Sequence, residues 1–169
     1  LIEVDGRLVA QREPEKIRGY EVTLDYRVSD KLNLGGSYSY VEGEAEFDDG
    51  RTVYLNGSRI APPKATAYIT YKPTSDWYLQ LSWVNTGCRD RFEPNTNGKY
   101  SNSEGPISTV NVVNFSGNYS FNKNWSMSLG IENLLNNSYY STLSQYRAVN
   151  ADYVMGNGMT TSLNLRYKF

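Results

Sequence analysis

Hydrophobic and polar residues alternate along most of this 169-residue chain. The alternation is clearest in the last eleven residues, 159–169. Their apolar positions, which point to one side, are Met159, Leu163, Leu165, Tyr167 and Phe169. A β-strand has a side-chain period of two, so this segment predicts a strand with one apolar and one polar face. The same pattern recurs over residues 20–28, 32–40, 64–72, 77–83, 113–121 and 125–131, which gives seven predicted strands.

A further short segment lies at residues 1–4, directly before Asp5-Gly6. This dipeptide is typical of a two-residue hairpin turn. We interpret residues 1–4 as an eighth strand that is cut short. Residues 7–19 are candidates to extend the strand whose apolar face begins at Tyr20.

The connections between the predicted strands alternate in length. Three are short, at residues 29–31, 73–76 and 122–124, and three are long, at 41–63, 85–111 and 133–157. A membrane β-barrel has tight turns at one rim and long loops at the other, whereas a soluble sandwich distributes its loops less regularly. Aromatic residues gather near the short turns, as they do at a membrane interface. The pattern favours a membrane barrel, with a soluble β-sandwich binding module as an alternative.

Composition narrows the range of functional classes to which the chain can belong. The chain has 15 tyrosines, whose rings and hydroxyl groups suit a bilayer interface, and no window has the 18 apolar residues of a membrane helix. With 17 basic and 18 acidic residues it lacks the basic excess of a nucleic-acid surface. The single Cys88 and the absence of histidine exclude an internal disulfide framework, a Cys-based zinc cluster and a Ser-His-Asp triad. We therefore expect no enzyme, no cofactor and no bound metal.

Three segments and the terminal residue resemble TonB-dependent outer-membrane receptors. Residues 129–140 (LGIENLLNNSYY) are similar to that family's penultimate-strand ending, where Asn-Leu-Phe-Asp-Lys and then Tyr is usual. Residues 19–22 and 59–64 resemble the openings of two other strands, and Phe169 matches the family's terminal aromatic. Leu135 and Asn136-Asn137 depart from the usual residues, which leaves the subfamily open.

The resemblance implies an all-β fold: an antiparallel transmembrane β-barrel segment of about seven to eight strands within a 22-stranded barrel. Residues 1–169 would form the C-terminal portion of the barrel domain, without the N-terminal plug and the TonB-contacting segment. The implied function is active uptake across the bacterial outer membrane of a scarce ligand, most often a ferric siderophore. The implied partners are the plug, TonB, outer-membrane lipid and lipopolysaccharide. The alternative is an autonomous small outer-membrane barrel with a structural or interaction role.

The long loops supply candidate ligand contacts, because aromatic rings and guanidinium groups can stack on and neutralise an anionic, aromatic-rich ferric chelate. These residues are Arg51, Tyr54, Arg89, Arg91, Phe92, Tyr100, Tyr140, Tyr146 and Arg147, with Arg59, Tyr139 and Tyr153 in the same class. Ordinary loop packing and lipopolysaccharide contact are the alternative roles.

Charged residues on the polar face are expected to line the lumen, where they would meet the plug or water. They are Glu21, Asp25, Arg27, Glu132 and Arg166, together with Lys64, Lys72 and Lys168. Tyr167 and Phe169 are the expected assembly signal. The acidic cluster before Gly50 (Glu42, Glu44, Glu46, Asp48 and Asp49) matches no calcium loop and is interpreted as a solvated hairpin tip.

Overall fold

A computed structural model describes residues 2–4, 7–9, 14–46, 50–57, 59–91, 106–147 and 154–169. The strands are β1 (Ile2–Val4), β2 (Arg7–Val9), β3 (Glu15–Arg27), β4 (Leu32–Glu46), β5 (Thr52–Tyr54), β6 (Lys64–Tyr71), β7 (Trp77–Thr86), β8 (Val110–Ser120), β9 (Trp125–Glu132) and β10 (Thr160–Tyr167). The helix α1 (Thr142–Arg147) has six residues, and the described part of the chain holds no helix that is long and apolar enough to cross a bilayer.

Eight strands form one antiparallel sheet, in which seven long strands follow the order β3-β4-β6-β7-β8-β9-β10 and β5 pairs with β4. The seven long strands are the seven that the alternation predicts, so the all-β, antiparallel prediction is confirmed. Residues 15–19 extend β3 as expected, whereas residues 7–9 of the same expected extension form the separate strand β2. β4 continues six residues beyond its predicted end at Tyr40. The three predicted short turns lie between β3 and β4, β6 and β7, and β8 and β9, so these three are at one end of the sheet.

The hairpin at the start of the chain is present, but it does not join the main sheet. β1 pairs with β2, with Val4 opposite Arg7, so two residues separate the strands. The turn residues themselves lie outside the described residues. The expected eighth strand therefore pairs locally, and the eighth strand of the main sheet is β5, opposite residues 44–46 of β4.

The strand register places the main apolar rows of the long strands on one face. A row of directly opposed residues crosses six strands: Tyr26, Leu34, Ile69, Leu81, Phe115 and Ile131. The neighbouring row on the other face is Asp25, Gly35, Tyr68, Ser82 and Asn114. We call these the apolar face and the polar face. Because a shift of one residue would exchange the faces, the consistent register fixes this division across the sheet.

The apolar face is open to its surroundings, although it carries most of the large hydrophobic side chains. Leu24 is 67% exposed and Leu163 is 66% exposed, while few apolar side chains in the described residues are buried. A soluble protein rarely exposes a contiguous patch of this kind. The apolar stretch of β4, from Leu32 to Tyr40, is about 27 Å long at the usual rise per residue, close to the height of a membrane barrel's apolar band.

Aromatic rings border the apolar face at both ends. At the turn end, the ring centroids of Trp77 and Tyr119 are 4.4 Å apart, and those of Trp125 and Tyr167 are 4.8 Å apart. At the loop end, Tyr20 lies 6.0 Å from Tyr38 and 5.8 Å from Tyr40. Amphipathic rings prefer the interface between hydrocarbon and water, so the two rows mark the two interfaces of the membrane.

Asn133 fixes the long loop where β9 ends. Its φ is 51° and it is only 2% exposed. Its Nδ2 donates to the carbonyl oxygens of Asn137 (2.9 Å) and Asn157 (3.1 Å), and its Oδ1 accepts from the Asn137 amide at 3.0 Å. One side chain thus ties the start of the loop to its return.

We expect Asn133→Ala to lower the free energy of unfolding of the intact protein by about 2 to 4 kcal/mol, because it removes three buried hydrogen bonds and strains a left-handed backbone. Asn133→Gly should lose less, since glycine tolerates this φ. The measurement is the urea midpoint in detergent micelles, followed by tryptophan fluorescence. The control is Asn164→Ala on β10, whose side chain is exposed. Equal midpoints for Asn133→Ala and Asn164→Ala would contradict the assigned role.

Neighbouring residues on β7 test which face meets lipid. Leu81→Arg should destabilise the membrane-inserted protein by about 2 to 4 kcal/mol, because a guanidinium near the bilayer midplane is costly. Ser82→Arg places the same group on the polar face and should cost much less. The measurement is the free energy of folding into phospholipid vesicles; a larger loss for Ser82→Arg would reverse the assignment of the faces.

Candidate functional site

The polarity of β4 reverses just beyond Tyr40. Arg18 lies opposite Glu42 on the side of the sheet that carries the apolar face, whereas Ile17 lies opposite Gly43 on the other side. Between Tyr40 and the turn end of β4, the side that carries Arg18 and Glu42 is hydrophobic. A charged residue on it is expected only where the strand has left the hydrocarbon. The end of β4 therefore stands outside the bilayer, at the rim that carries the long loops.

A small hydrophobic core forms at this rim, on the same side as the polar face. Ala45, Leu55 and Ile60 are buried there, with Val41 and Val53 packed against them. A Cβ at Gly43 would lie 2.7 Å from Leu55 Cδ1 and from Ile60 Cδ1, so these side chains need a glycine beneath them. This core holds β5 and the following loop against β4.

A buried ion pair forms on the other side of the same strand. Arg89, which is 4% exposed, places its Nη2 3.3 Å from Glu42 Oε1 and donates to the Leu55 carbonyl at 3.3 Å. Arg91 Nη1 lies 2.8 Å from Glu42 Oε2, and the Tyr40 hydroxyl donates to the same oxygen. Glu42 is therefore buried and paired, not part of a solvated hairpin tip. Removing one partner of such a pair leaves an uncompensated charge, so Arg89 has a structural role.

Arg91, Tyr54 and Arg18 surround a depression above Tyr20 and Tyr40, which we call the rim recess. Its volume is about 390 Å³. The Arg91 guanidinium carbon lies 5.5 Å from the centre of the Tyr54 ring. The pKa of Arg91 is raised, first by the negative charge that Tyr40 acquires at high pH and then by Glu42 and Tyr54, so its guanidinium stays cationic. The arrangement can hold an anion next to aromatic rings.

A second depression, the inner recess, lies at the same rim on the polar face. It has a volume of about 250 Å³ and is lined by Val84, Asn114, Glu132, Tyr139 and Asn157, among others. The Tyr139 ring rests against Gly156, where a Cβ would lie 2.3 Å from the ring. An aromatic ring, a carboxylate and amide groups thus converge on the side of the sheet that would bound a lumen.

Eight charged residues are expected in the lumen, and the six of them that lie in strand pairs or at a strand end are all on the polar face: Glu21, Asp25, Arg27, Lys64, Glu132 and Arg166. Their opposed residues on neighbouring strands are Ser39 for Glu21 and for Lys64, Gly35 for Asp25, Asn33 for Arg27, Thr160 for Glu132 and Ser126 for Arg166. Asp25 accepts hydrogen bonds from the Tyr68 hydroxyl and from Asn33 Nδ2, the latter at 2.9 Å. Arg27 Nη2 pairs with Asp30 Oδ1 at 2.7 Å. Contact with a plug stays a prediction.

The structure brings only some of the loop candidates together. Tyr54, Arg89 and Arg91 meet around Glu42, whereas the 41% exposed Tyr140 lies in another loop, bridged to Met155. Arg51 is exposed, and Arg59 pairs with Glu15. Phe92, Tyr100 and Tyr153 lie outside the described residues, as do the side chains of Tyr146 and Arg147. The ligand-binding role of all these loop candidates stays a prediction.

Two features of the rim were missed from the sequence. Arg18 and Tyr40 were not singled out, although residues 41–46 (VEGEAE) continue the strict alternation with inverted polarity. That inversion was the available signal. At the opposite end of the sheet, Tyr167 contacts Phe169 with ring centroids 4.9 Å apart, and their role in assembly stays a prediction. Cys88 is an exposed free thiol, and no group of three potential ligands is placed to hold a metal among the residues described.

Known proteins share this architecture. A family model described as TonB dependent receptor-like, beta-barrel matches residues 3–134. The chain is 23% identical over 177 residues to the probable TonB-dependent siderophore receptor PiuA of Acinetobacter baumannii. The aligned region covers 98% of this chain and 22% of PiuA.

Two solved structures have the same fold. The copper transporter OprC superposes with a TM-score of 0.73 at 19% identity, covering 92% of this chain and 24% of that one. The ferric-catecholate import receptor Fiu from K12 E. coli, in its closed form, gives 0.65 at 19% identity, covering 95% and 22%. The chain thus spans between a fifth and a quarter of the length of these relatives.

The match to the family model extends over most of the chain, and homologues in this family are outer-membrane proteins. The two-faced antiparallel sheet, its aromatic borders and its alternating turns and loops agree with that location. The chain therefore belongs to the family of TonB-dependent receptor-like β-barrels of the outer membrane.

Proposed function

We propose that this chain forms one wall of a larger outer-membrane receptor that takes up a scarce ligand by a TonB-dependent mechanism, with a ferric siderophore as the first candidate. The observation that carries the proposal is the two-faced sheet. One face is an apolar belt between aromatic rows, and the other is a hydrogen-bonded polar surface with a recess at the loop end. Such a wall separates lipid from an aqueous lumen.

The strand count favours a wall over an autonomous barrel. The chain direction alternates along the seven long strands, so β3 and β10 run the same way. Closing these seven strands on themselves would require a parallel pair, whereas bacterial single-chain barrels have an even number of antiparallel strands. An odd number of further strands is needed to close the barrel. The fifteen that would complete a 22-stranded transporter meet this condition.

The polar face supports the presence of a plug. Lys72 and Arg166 lie near the turn end of this face, where carboxylates of a plug would neutralise them. Barrels of 22 strands enclose a lumen that a plug fills. In this proposal, the plug and the segment that contacts TonB belong to other parts of the full-length receptor.

The inner recess is the proposed ligand contact of this wall. Tyr139 offers a ring for stacking, and Glu132, Asn114 and Asn157 offer hydrogen-bonding groups. An organic chelate with aromatic and hydroxyl groups suits these side chains. Two relatives point to the same ligand class by their names. PiuA is a probable siderophore receptor, and Fiu is a ferric-catecholate import receptor.

We expect the full-length receptor to restore growth of an iron-starved bacterium that lacks its own receptors, when one ferric siderophore of a chemically diverse panel is supplied. Tyr139→Ala should then weaken uptake of that siderophore about tenfold, because a stacking partner is lost from the recess. The measurement is radioactive iron uptake at several siderophore concentrations, normalised to the amount of receptor in the outer membrane.

Phe121→Ala is the control for this experiment, because Phe121 is an exposed aromatic residue at the turn end. It should leave uptake unchanged. If no ferric siderophore in the panel is taken up by the unaltered receptor, the proposed ligand class is wrong. If Tyr139→Ala behaves as Phe121→Ala does, the inner recess is not the contact.

A further inference from the structure

The described parts of the three long loops are joined to one another beyond the ends of the strands. The Gly87 amide, just after β7, donates to the Pro63 carbonyl, just before β6, at 2.7 Å. The Ser108 amide, just before β8, donates at 2.8 Å to Oε1 of Gln145, which lies on α1 between β9 and β10. Loops are ordinarily more mobile than the strands that they connect. Here they form one hydrogen-bonded layer, which we call the loop layer.

Arg89 anchors the loop layer to β4. Its side chain donates to the carbonyls of Val41 and Leu55 at 3.4 and 3.3 Å, and its Nη2 lies 3.3 Å from Glu42 Oε1. Its backbone pairs with Ile107 through two hydrogen bonds, of 2.9 and 2.8 Å. Arg89 is 4% exposed and Ile107 is 1% exposed. One residue thus holds the outgoing and the returning arm of the β7–β8 loop against β4.

Gln145 joins the β7–β8 loop to the β9–β10 loop. Its side chain is buried, although it belongs to a six-residue helix in a long loop. Its Oε1 accepts from the Ser108 amide, and its Nε2 donates to the Tyr140 carbonyl at 3.1 Å. A buried amide group that bonds at both ends is costly to replace, because an apolar side chain leaves both partners without a bond. Gln145 is therefore the direct connection between these two loops.

The connection continues from Tyr140 to the inner recess. Tyr140 pairs with Met155 across the β9–β10 loop, and next to this pair the Gly156 amide donates to the Tyr139 carbonyl at 2.8 Å. The Tyr139 ring rests against Gly156 and lines the inner recess. The ring is thus placed by a backbone that Gln145 holds at the neighbouring carbonyl.

We propose that Gln145 is a positioning residue for ligand binding, which acts through the loop layer. By coupling the β7–β8 loop to the backbone of Tyr139 and Tyr140, it keeps the inner recess in the shape that binds a ligand. Gln145 is 4% exposed, so it acts through Tyr139 and offers almost no surface of its own. The proposal rests on the proposed function, because it takes the inner recess as the ligand contact.

Hydrogen–deuterium exchange tests the coupling without a ligand. In the purified full-length receptor in detergent, Gln145→Leu should speed exchange of the Ser108 amide about tenfold or more, because that amide loses its acceptor. The Gly156 amide, which Gln145 does not contact, should also exchange faster, since the pairing around Tyr139 loosens. Ile107→Ala, a change in the other loop, should speed exchange at Gly156 as well. The measurement is mass spectrometry of overlapping peptides that contain residues 108 and 156.

Siderophore uptake tests the effect on binding. For the ferric siderophore that the growth assay identifies, Gln145→Leu should raise the concentration for half-maximal uptake about fivefold, because the recess spends less time in its binding shape. The maximal rate per receptor should stay unchanged, since a saturating ligand restores that shape. A defect of assembly alone would lower the number of receptors and leave the half-maximal concentration as it was.

Gln80→Leu is the matched control. Gln80 also uses its side-chain amide in a hydrogen bond, from Nε2 to Thr70 Oγ1 at 3.2 Å, but it lies within β7, away from the loop layer. It should change neither exchange at Gly156 nor the half-maximal concentration. If Gln145→Leu fails to assemble, Ile107→Ala provides both measurements. The same exchange at Gly156 in Gln145→Leu, Ile107→Ala and Gln80→Leu would overturn the coupling.

The uptake results separate this proposal from the proposed function. If the unaltered receptor takes up no ferric siderophore, the transport proposal fails, and exchange at Gly156 alone decides whether the loops are coupled. If Tyr139→Ala weakens uptake but Gln145→Leu leaves the half-maximal concentration unchanged, the inner recess stands and the positioning role of Gln145 is refuted.

Discussion

The bilayer interior offers no water to the peptide groups, so each amide and carbonyl that crosses it must bond within the protein. The seven long strands meet this constraint by pairing each strand with the next one along the chain. Pairing of this kind fixes the register, and the register divides the side chains between two faces because the period of a strand is two. The same constraint requires partners for the outer edges of β3 and β10, which connects the local hydrogen bonds to the size of the complete barrel.

The edge of the bilayer can be located from side-chain polarity within a single strand. Up to Tyr40, β4 follows the rule of a membrane wall; beyond it, carboxylates take the apolar side and small hydrophobic residues take the other. Outside the hydrocarbon, the strand packs as a strand of a water-soluble protein does. It buries Ala45 beneath Leu55 and Ile60 on one side, and Glu42 is paired with Arg89 on the other. This packing holds Tyr54 and Arg91 in place around the rim recess.

The long strands were predictable because their pattern is local: eight to fifteen residues of alternation suffice to define each one. β5 was not, since three residues are too few to show a period, and its pairing depends on the contact of Leu55 and Ile60 with Gly43. Burial of Glu42 was missed for a related reason, because its partner Arg89 lies 47 residues further along the chain. The charged residues expected to line the lumen share the polar face, since the period alone decides the face, but their contacts depend on neighbours that the period does not reveal.

The two recesses show why composition could not assign roles to the loop residues. Tyr54 and Tyr139 both lie in long loops rich in aromatic and basic residues, yet β4 and β5 turn the first toward the apolar side and β9 and its loop turn the second toward the polar side. Only one of these sides can meet a ligand in the lumen, and only the other can meet a lipid headgroup. Because adjacent residues of a strand point in opposite directions, a single residue of register separates the two chemistries. The backbone pairing at the rim, more than the residue types there, therefore determines which molecule each side chain contacts.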